Sequence, residues 1–276
     1  MGRREEIVVE IAREEERVAE LRSELEEHSG RLSKLREELE SLKSDPFKIQ
    51  PCALSVPSTG PKSNSEKVAL FRSLFRGRED IFPRRWENPK SGKSGYSPAC
   101  LNEWEYGLCE KKRPRPEGRR VTCGECPNQA FLPVTDEEIA KHLRGEQVMG
   151  IYPLLPDETC WFLAVDCDRK SWKDDIGEFV ATCKAHGLPV AVERSRSGNG
   201  AHAWFFFAAP VPAGVARKMG CFLITETMSR RHQLSMESYD RLFPNQDTMP
   251  KGGFGNLIAL PLQKKPRESD CSVFVD

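Results

Sequence analysis

Nothing in the 276-residue chain approaches the roughly 18 uninterrupted apolar residues that a membrane-spanning helix needs. The N-terminus, MGRREEIVVE, also lacks the apolar run and small-residue cleavage site of a secretory signal. These absences predict a soluble, cytoplasmic protein with no membrane partner. The chain has no excess charge of either sign: 42 Lys and Arg balance 42 Asp and Glu. Overall balance argues against a uniformly basic nucleic-acid coat protein and against an acidic disordered chain.

The balance is a sum of unlike parts. Residues 1–45 hold nine basic and fourteen acidic residues, which leaves that stretch at minus five and the remainder at plus five. Alternate steps of four and three residues from Ile7 land on Ile11, Glu14, Val18, Leu21, Leu25, His28, Leu32, Leu35, Leu39 and Leu42. An apolar seam at heptad spacing between Glu and Arg predicts a coiled-coil helix over 1–45, and so a homodimer or a partner helix. His28 reads as a tolerated seam residue. Asp45 and Pro46 stop the pattern, and the Pro- and Ser-rich stretch 46–64 reads as a linker in which Cys52 has no assigned role.

A second domain is expected over 65–276. It opens with SEKVALFRSLF, a helix capped by Ser65. Between Lys67 and Arg120 stand fourteen basic and seven acidic residues, interleaved with Phe82, Trp86, Tyr96, Trp104 and Tyr106. Such a mixture suits a surface that follows a phosphate backbone and stacks bases. Further on, TDEEIAKHLRG, the DDIGEFVATCKAHG region and the VARKMGCFLITETMSRRHQL region read as helices, and CWFLAVD, PVAVERS, AHAWFFFAA and NLIALPL as strands. Strands and helices mix without strict alternation, which predicts an α+β fold around a mixed, mostly antiparallel sheet. The chain ends in strand-like CSVFVD, and a continuation into further domains such as a helicase is expected.

Ten cysteines without a secretory signal point to metal rather than to disulfides. Cys100, Cys109, Cys123 and Cys126 follow a C-x8-C-x13-C-x2-C spacing whose closing CGEC places two thiolates on one tetrahedral ion. One structural Zn2+ is expected in a segment of about 97–130, displaying EKKRPRPEGRR as a basic finger; free or redox-active thiols are the alternative. Cys160, Cys167, Cys183, Cys221 and Cys271 read as small core residues.

FLAVDCDRK carries two carboxylates at i and i+2. In a strand, Asp166 and Asp168 project from one face, where their mutual repulsion favours a cation. Oxygen ligands of this kind suit Mg2+ or Mn2+. ERSRSGNGAHAWFFF adds Gly198 and Gly200 for a tight turn, with Arg196, Ser197 and His202 as donors for phosphate oxygens. Asp240 and Asp247 both precede NLIALPL and either supplies a third carboxylate, while Lys264 and Lys265 follow it within reach of a triphosphate.

The order D-x-D, S-G-x-G-x-H, then an aspartate before an apolar strand resembles the catalytic core of the archaeo-eukaryotic primase superfamily. FRSLFRGRED, the cysteine cluster, GIYPLLPDETCWFLAVDCD, ERSRSGNGAH and SYDRLFPNQDTMPKGGFGNLIALPLQ look like the primase-polymerase domain of bacterial TOTE conflict systems and of CRISPR-associated primase-polymerases. That resemblance covers about 65–276. It implies a template-directed nucleotidyltransferase that joins (d)NTPs to a 3′-hydroxyl on single-stranded DNA template and primer, and starts chains de novo. It also implies two divalent ions on Asp166, Asp168 and, from its spacing to GNLIALP, Asp247, with His202 on the nucleotide's phosphates and Arg196, Ser197 and Asn199 beside it. Cys167 departs from the bulkier apolar residue of relatives and is expected to point away from the metals. A zinc-bearing nucleic-acid binding module without turnover and a metal-dependent nuclease are the competing functions.

Overall fold

A computed structural model describes residues 3–44, 63–112, 121–168, 171–230 and 239–275. Two compact units divide the chain, Met1–Gly60 and Pro61–Asp276. The stretch expected to be a linker falls on residues outside this description, except at its last two positions.

In the first unit, α1 (Arg3–Ser44) is one uninterrupted helix. Ile7, Ile11, Val18, Leu21, Leu32 and Leu35 are all exposed on it. Isolated helices gain little from propensity alone, so an apolar seam facing water is a face without a cover within its own unit.

The second unit starts with α2 (Asn64–Leu74). Ser63, not Ser65, is its cap. Ser63 Oγ accepts from the Glu66 N–H at 3.1 Å, and Glu66 Oε2 accepts from the Ser63 N–H at 2.8 Å. This reciprocal pair needs an acid three residues after the cap, which Ser63 has and Ser65 lacks. A hairpin follows, β1 (Pro83–Glu87) and β2 (Ser94–Pro98), in a segment the sequence pattern does not mark as strand. α3 (Asp136–Arg144) is capped by Thr135 and stopped by Gly145 at φ +86°. β3 (Gly150–Ile151) and β4 (Thr159–Asp168) come next, then α4 (Trp172–Ala185), β5 (Ala191–Arg194), β6 (Gly200–Pro212) and α5 (Ala213–Arg230). β7 (Tyr239–Phe243), β8 (Ile258–Ala259), the short α6 (Lys264–Arg267) and β9 (Val273–Val275) complete the described elements.

The main sheet has the strand order β7-β4-β6-β5-β9, and every neighbouring pair in it is antiparallel. The expected antiparallel α+β architecture is therefore present. β7 was not anticipated as a strand, and the expected NLIALPL strand contributes only Ile258–Ala259, paired with β3 outside the main sheet.

β4 explains how one sheet serves two cores. Cys160, Leu163, Val165 and Cys167 join Ala201, Ala203 and Phe205 of β6 beneath Ile176 and Phe179 of α4 and Ala216 and Leu223 of α5. Phe162 and Ala164 face the other way, with Trp204 and Phe243, into a core closed by Val68, Phe71 and Phe75 of α2, Ile139 of α3 and Met149. Phe75 meets Trp204 edge-on at 5.1 Å. Truncating a fully buried ring such as Trp204 costs about 3–5 kcal/mol. The period of two that sorts these side chains carries straight on to Asp166 and Asp168, on the Phe162 side.

Cys160, Cys167 and Cys183 are buried as expected, and burial pushes the Cys160 thiol up to about 12 and that of Cys183 to about 11. Cys221 is instead exposed. The buried face of α5 runs through Ala213, Ala216, Gly220, Leu223 and Thr227, one residue out of phase with it. Among the described residues no helix is long and apolar enough to cross a membrane.

Candidate active site

Asp166 and Asp168 end β4 beside the start of β6, and the ladder sets Asp166 opposite His202 and Asp168 opposite Gly200. β7 flanks β4 on the other side with Arg241 opposite Asp166. β5 places Glu193 opposite His202. One row therefore crosses four strands: Arg241, Asp166, His202, Glu193. Its contacts are Arg241 Nε to Asp166 Oδ2 at 3.9 Å, His202 Nε2 to Asp166 Oδ1 at 3.5 Å, and His202 Nδ1 to Glu193 Oε2 at 2.8 Å.

Glu193 is only 2% exposed and receives three donors: the His202 ring N–H, Trp204 Nε1–H at 3.0 Å and Ser272 O–H at 3.4 Å. Since a carboxylate accepts, Nδ1 of His202 carries the hydrogen and Nε2 faces Asp166. Burial opposes a charge on the ring, yet the Glu193 hydrogen bond and the charges of Glu193, Asp166 and Asp168 outweigh it and raise the His202 pKa above its ordinary value.

The turn from Ser195 to Asn199 sits at the same end of the sheet. The Gly198 N–H donates to the Ser195 carbonyl at 2.9 Å, with Gly198 at φ +75°, a conformation that favours glycine. Ser197 Oγ lies 3.1 Å from Ser195 Oγ and accepts from the Asn199 N–H at 3.3 Å. A Cβ at Gly200 would fall inside van der Waals contact of Asp168 Oδ1, so the carboxylate occupies the space that glycine leaves. Arg196 reaches toward β1, with Nη2 3.8 Å from Glu87 Oε1. Cys167 points to the opposite face, into the α4 and α5 core.

Asp247 is not brought to this end. Its carboxylate binds Arg217 on α5 through two contacts of 2.6 and 3.0 Å, and it packs beside Gly214, just past the far end of β6. The neighbouring Met249 N–H donates to Glu158 Oε1 immediately before β4 begins. From there to Asp166 is seven residues of strand, roughly 23 Å at the usual rise. The Arg217 hydrogen bond also holds the Asp247 carboxyl below the usual range. Asp240, by contrast, lies on β7 within the bulge between the Asp166–Arg241 and Cys167–Tyr239 pairs, at the end of the sheet that carries the aspartates. Lys264 opens α6 and lies beside Gly145 at the end of α3.

Cys100, Cys109, Cys123 and Cys126 line one small cavity of about 20 Å3, together with Lys111 and Glu103. Lys111 Nζ donates to Glu103 Oε1 at 2.8 Å, and burial raises the Cys123 pKa against the opposing effect of Lys111. Among the described residues no group of three or more His, Cys, Asp or Glu side chains is assembled around a metal position. The Arg- and Pro-rich stretch 113–120 lies outside the described residues.

Sequence reasoning missed Glu193 and Arg241. Glu193 was recoverable: once SRSGN is folded as the hairpin turn, counting back from Gly200 pairs the lone acid of PVAVERS with His202. Arg241 carried no such signal, because YDRLF shows no clean alternation.

A search of the curated proteins finds no match. Residues 66–276 match the model of the archaeo-eukaryotic primase domain of TOTE conflict systems, which spans the whole sheet, the candidate site and the cysteine segment. The chain thus belongs to the archaeo-eukaryotic primase domain family of TOTE conflict systems, a primase-like family of nucleotidyltransferase type.

Proposed function

We propose that the chain is a template-directed primase-polymerase, which extends a strand on single-stranded DNA and starts chains without a primer. The observation that carries this reading is the row Arg241, Asp166, His202 and Glu193, with Asp168 seated over Gly200 beside a donor-rich turn. An anionic pair on one side and phosphate-directed donors on the other suit a nucleoside triphosphate held through metal.

The reaction is in-line attack of a 3′-hydroxyl on the α-phosphorus, with pyrophosphate leaving. Asp166 and Asp168 are hard oxygen donors on one strand face, and Asp240 takes the place of Asp247 as third carboxylate because of its position on β7. Asp166, Asp168 and Asp240 would hold two Mg2+ or Mn2+ ions, which would supply charge neutralisation and acidify the attacking hydroxyl. His202, fixed from behind by Glu193, directs Nε2 toward the phosphates. Ser197, Asn199 and the turn N–H groups supply further donors, and Arg196 and Lys264 add positive charge. The core beneath the row fixes the geometry before substrate arrives.

The four thiols are proposed to take one structural Zn2+. Four soft sulfur donors among the residues lining one small cavity support this, and the ion would displace the Lys111 ammonium from that cavity. α1 is proposed to pair with a second helix through its apolar seam.

Metal-dependent incorporation of labelled nucleotides on single-stranded DNA tests the function. Longer products are expected. Shortened strands would assign a nuclease, and binding without turnover a nucleic-acid binding module.

A further inference from the structure

Arg196 and Arg85 share one carboxylate. Arg85, on β1, donates from Nε to Glu87 Oε1 at 3.0 Å and from Nη2 to Ser94 Oγ at 2.9 Å. Arg196, on the glycine turn, approaches the same Glu87 oxygen at 3.8 Å, longer than a hydrogen bond. Its own Nε is buried and makes no hydrogen bond within the described residues. Tyr96 stands opposite Arg85 in the β1–β2 ladder. Two guanidiniums thus converge on a single carboxylate, whose side chain is 61% exposed while that of Arg85 is only 21% exposed.

This arrangement is unbalanced in charge and in hydrogen bonding. Arginine forks match phosphate oxygens two at a time, and Glu87 offers one arginine a good contact and the other a poor one. The exposed acid is the member free to swing out, while Arg85 keeps its bond to Ser94 and the Nε of Arg196 stays buried.

We propose that Arg85 and Arg196 form a phosphate clamp contributed jointly by the β1–β2 hairpin and the glycine turn, with Glu87 occupying it until a phosphate displaces it. The clamp deepens the proposed function, on which it rests, by adding Arg85 to the groups that hold substrate and by giving Glu87 an opposing role. Phosphate of an incoming nucleotide and phosphate of a bound strand share this chemistry.

The test is calorimetric binding to the full chain, with Ca2+ present to suppress turnover, using dATP in one arm and an oligothymidylate in the other. Glu87→Gln removes the competitor without removing bulk and should tighten binding about threefold in the arm that supplies the natural phosphate. Arg85→Ala should weaken the same arm about tenfold, with Arg85→Lys intermediate. Opposite signs at Glu87 and Arg85, which contact each other, are not expected of a merely structural pair. Equal or weaker binding by Glu87→Gln in both arms overturns the clamp, as does unchanged binding by both Arg85 variants. Glu87→Gln keeps the test decisive if Arg85→Ala fails to fold. A wild-type chain that binds with this pattern yet incorporates nothing would remove the polymerase reading and leave the clamp. Incorporation with unchanged affinities would remove the clamp alone.

Discussion

Glu193 and His202 face each other across β5 and β6, with Oε2 2.8 Å from Nδ1, and the carboxylate that holds the ring is among the most deeply buried side chains of the protein. A buried acid tolerates substitution only if its donors find another acceptor. Glu193→Gln keeps the shape but faces donors from His202, Trp204 and Ser272 with one carbonyl oxygen and its own amide hydrogens. Nucleotide incorporation should fall about tenfold to a hundredfold, mostly in kcat, as His202 loses its fixed tautomer. Steady-state kinetics check this. A variant as active as wild type would reduce Glu193 to a core residue.

The carboxylates separate by position. Asp166→Asn, Asp168→Asn and Asp240→Asn should each reduce metal-dependent incorporation by about a thousandfold or more, the several kcal/mol that a metal clamp contributes. Asp247→Asn should stay within about threefold of wild type, since it breaks only an exposed pair with Arg217 at the other end of the sheet. Extension assays on one primed template compare all four. The reverse order for Asp240 and Asp247 would restore the spacing-based assignment.

His142 gives stability a pH dependence that can be isolated. Its ring is enclosed, Nδ1 accepts from the Met149 N–H at 3.1 Å and Nε2–H donates to the Pro261 carbonyl at 2.9 Å. Burial lowers its pKa to about 4, so the unfolded chain takes up a proton on this residue at a higher pH than the folded one. Its contribution is complete above the ordinary imidazole value near 6.5 and is lost as pH falls toward about 4, a change on the order of 3 kcal/mol. Denaturant unfolding at pH 7 and pH 5 should show a smaller difference for His142→Gln than for wild type. Parallel slopes would contradict it.

Zinc should be present at about one equivalent per chain by elemental analysis. Chelation or Cys123→Ser should loosen residues 97–130, read as faster amide exchange there. The effect should extend to the 250–254 loop, since a Cβ on Gly124 would collide with the Gly252 carbonyl. A metal-free chain with unaltered exchange would refute this.

Deleting residues 1–45 should lower the solution mass measured by light scattering from two chains to one, because the exposed Ile, Val and Leu seam of α1 would lose its partner. An unchanged mass would assign that seam another role.

What was legible in the sequence was local. The i, i+2 aspartates, the glycine turn and the Thr135 cap of α3 each follow from a few adjacent residues, and the structure reproduces them, whereas the α2 cap falls at Ser63 rather than at the expected Ser65. Which of Asp240 and Asp247 stands beside β4 was not legible, because it depends on which strand neighbours β4. The long apolar NLIALPL reads as a strand, and its spacing favours Asp247. Its apolar residues are instead buried against the N-terminal half, Ile258 and Leu260 packing with Met149 and Ile151, while the short, irregular YDRLF takes the place beside β4. The β1–β2 hairpin escaped for a related reason: its half-buried arginines and exposed tryptophan hide the alternation that marks a strand.

The continuity of β4 from core into site has a consequence for misfolding. A one-residue slip of β4 against β6 would turn Asp166 and Asp168 toward α4 and α5, where Val165 and Cys167 now pack, and would present a thiol in their place. Two carboxylates buried without partners would make that register prohibitive. The same acids that define the chemistry therefore act as a proofreading mark for strand alignment, and a chain that folds stably has already placed them.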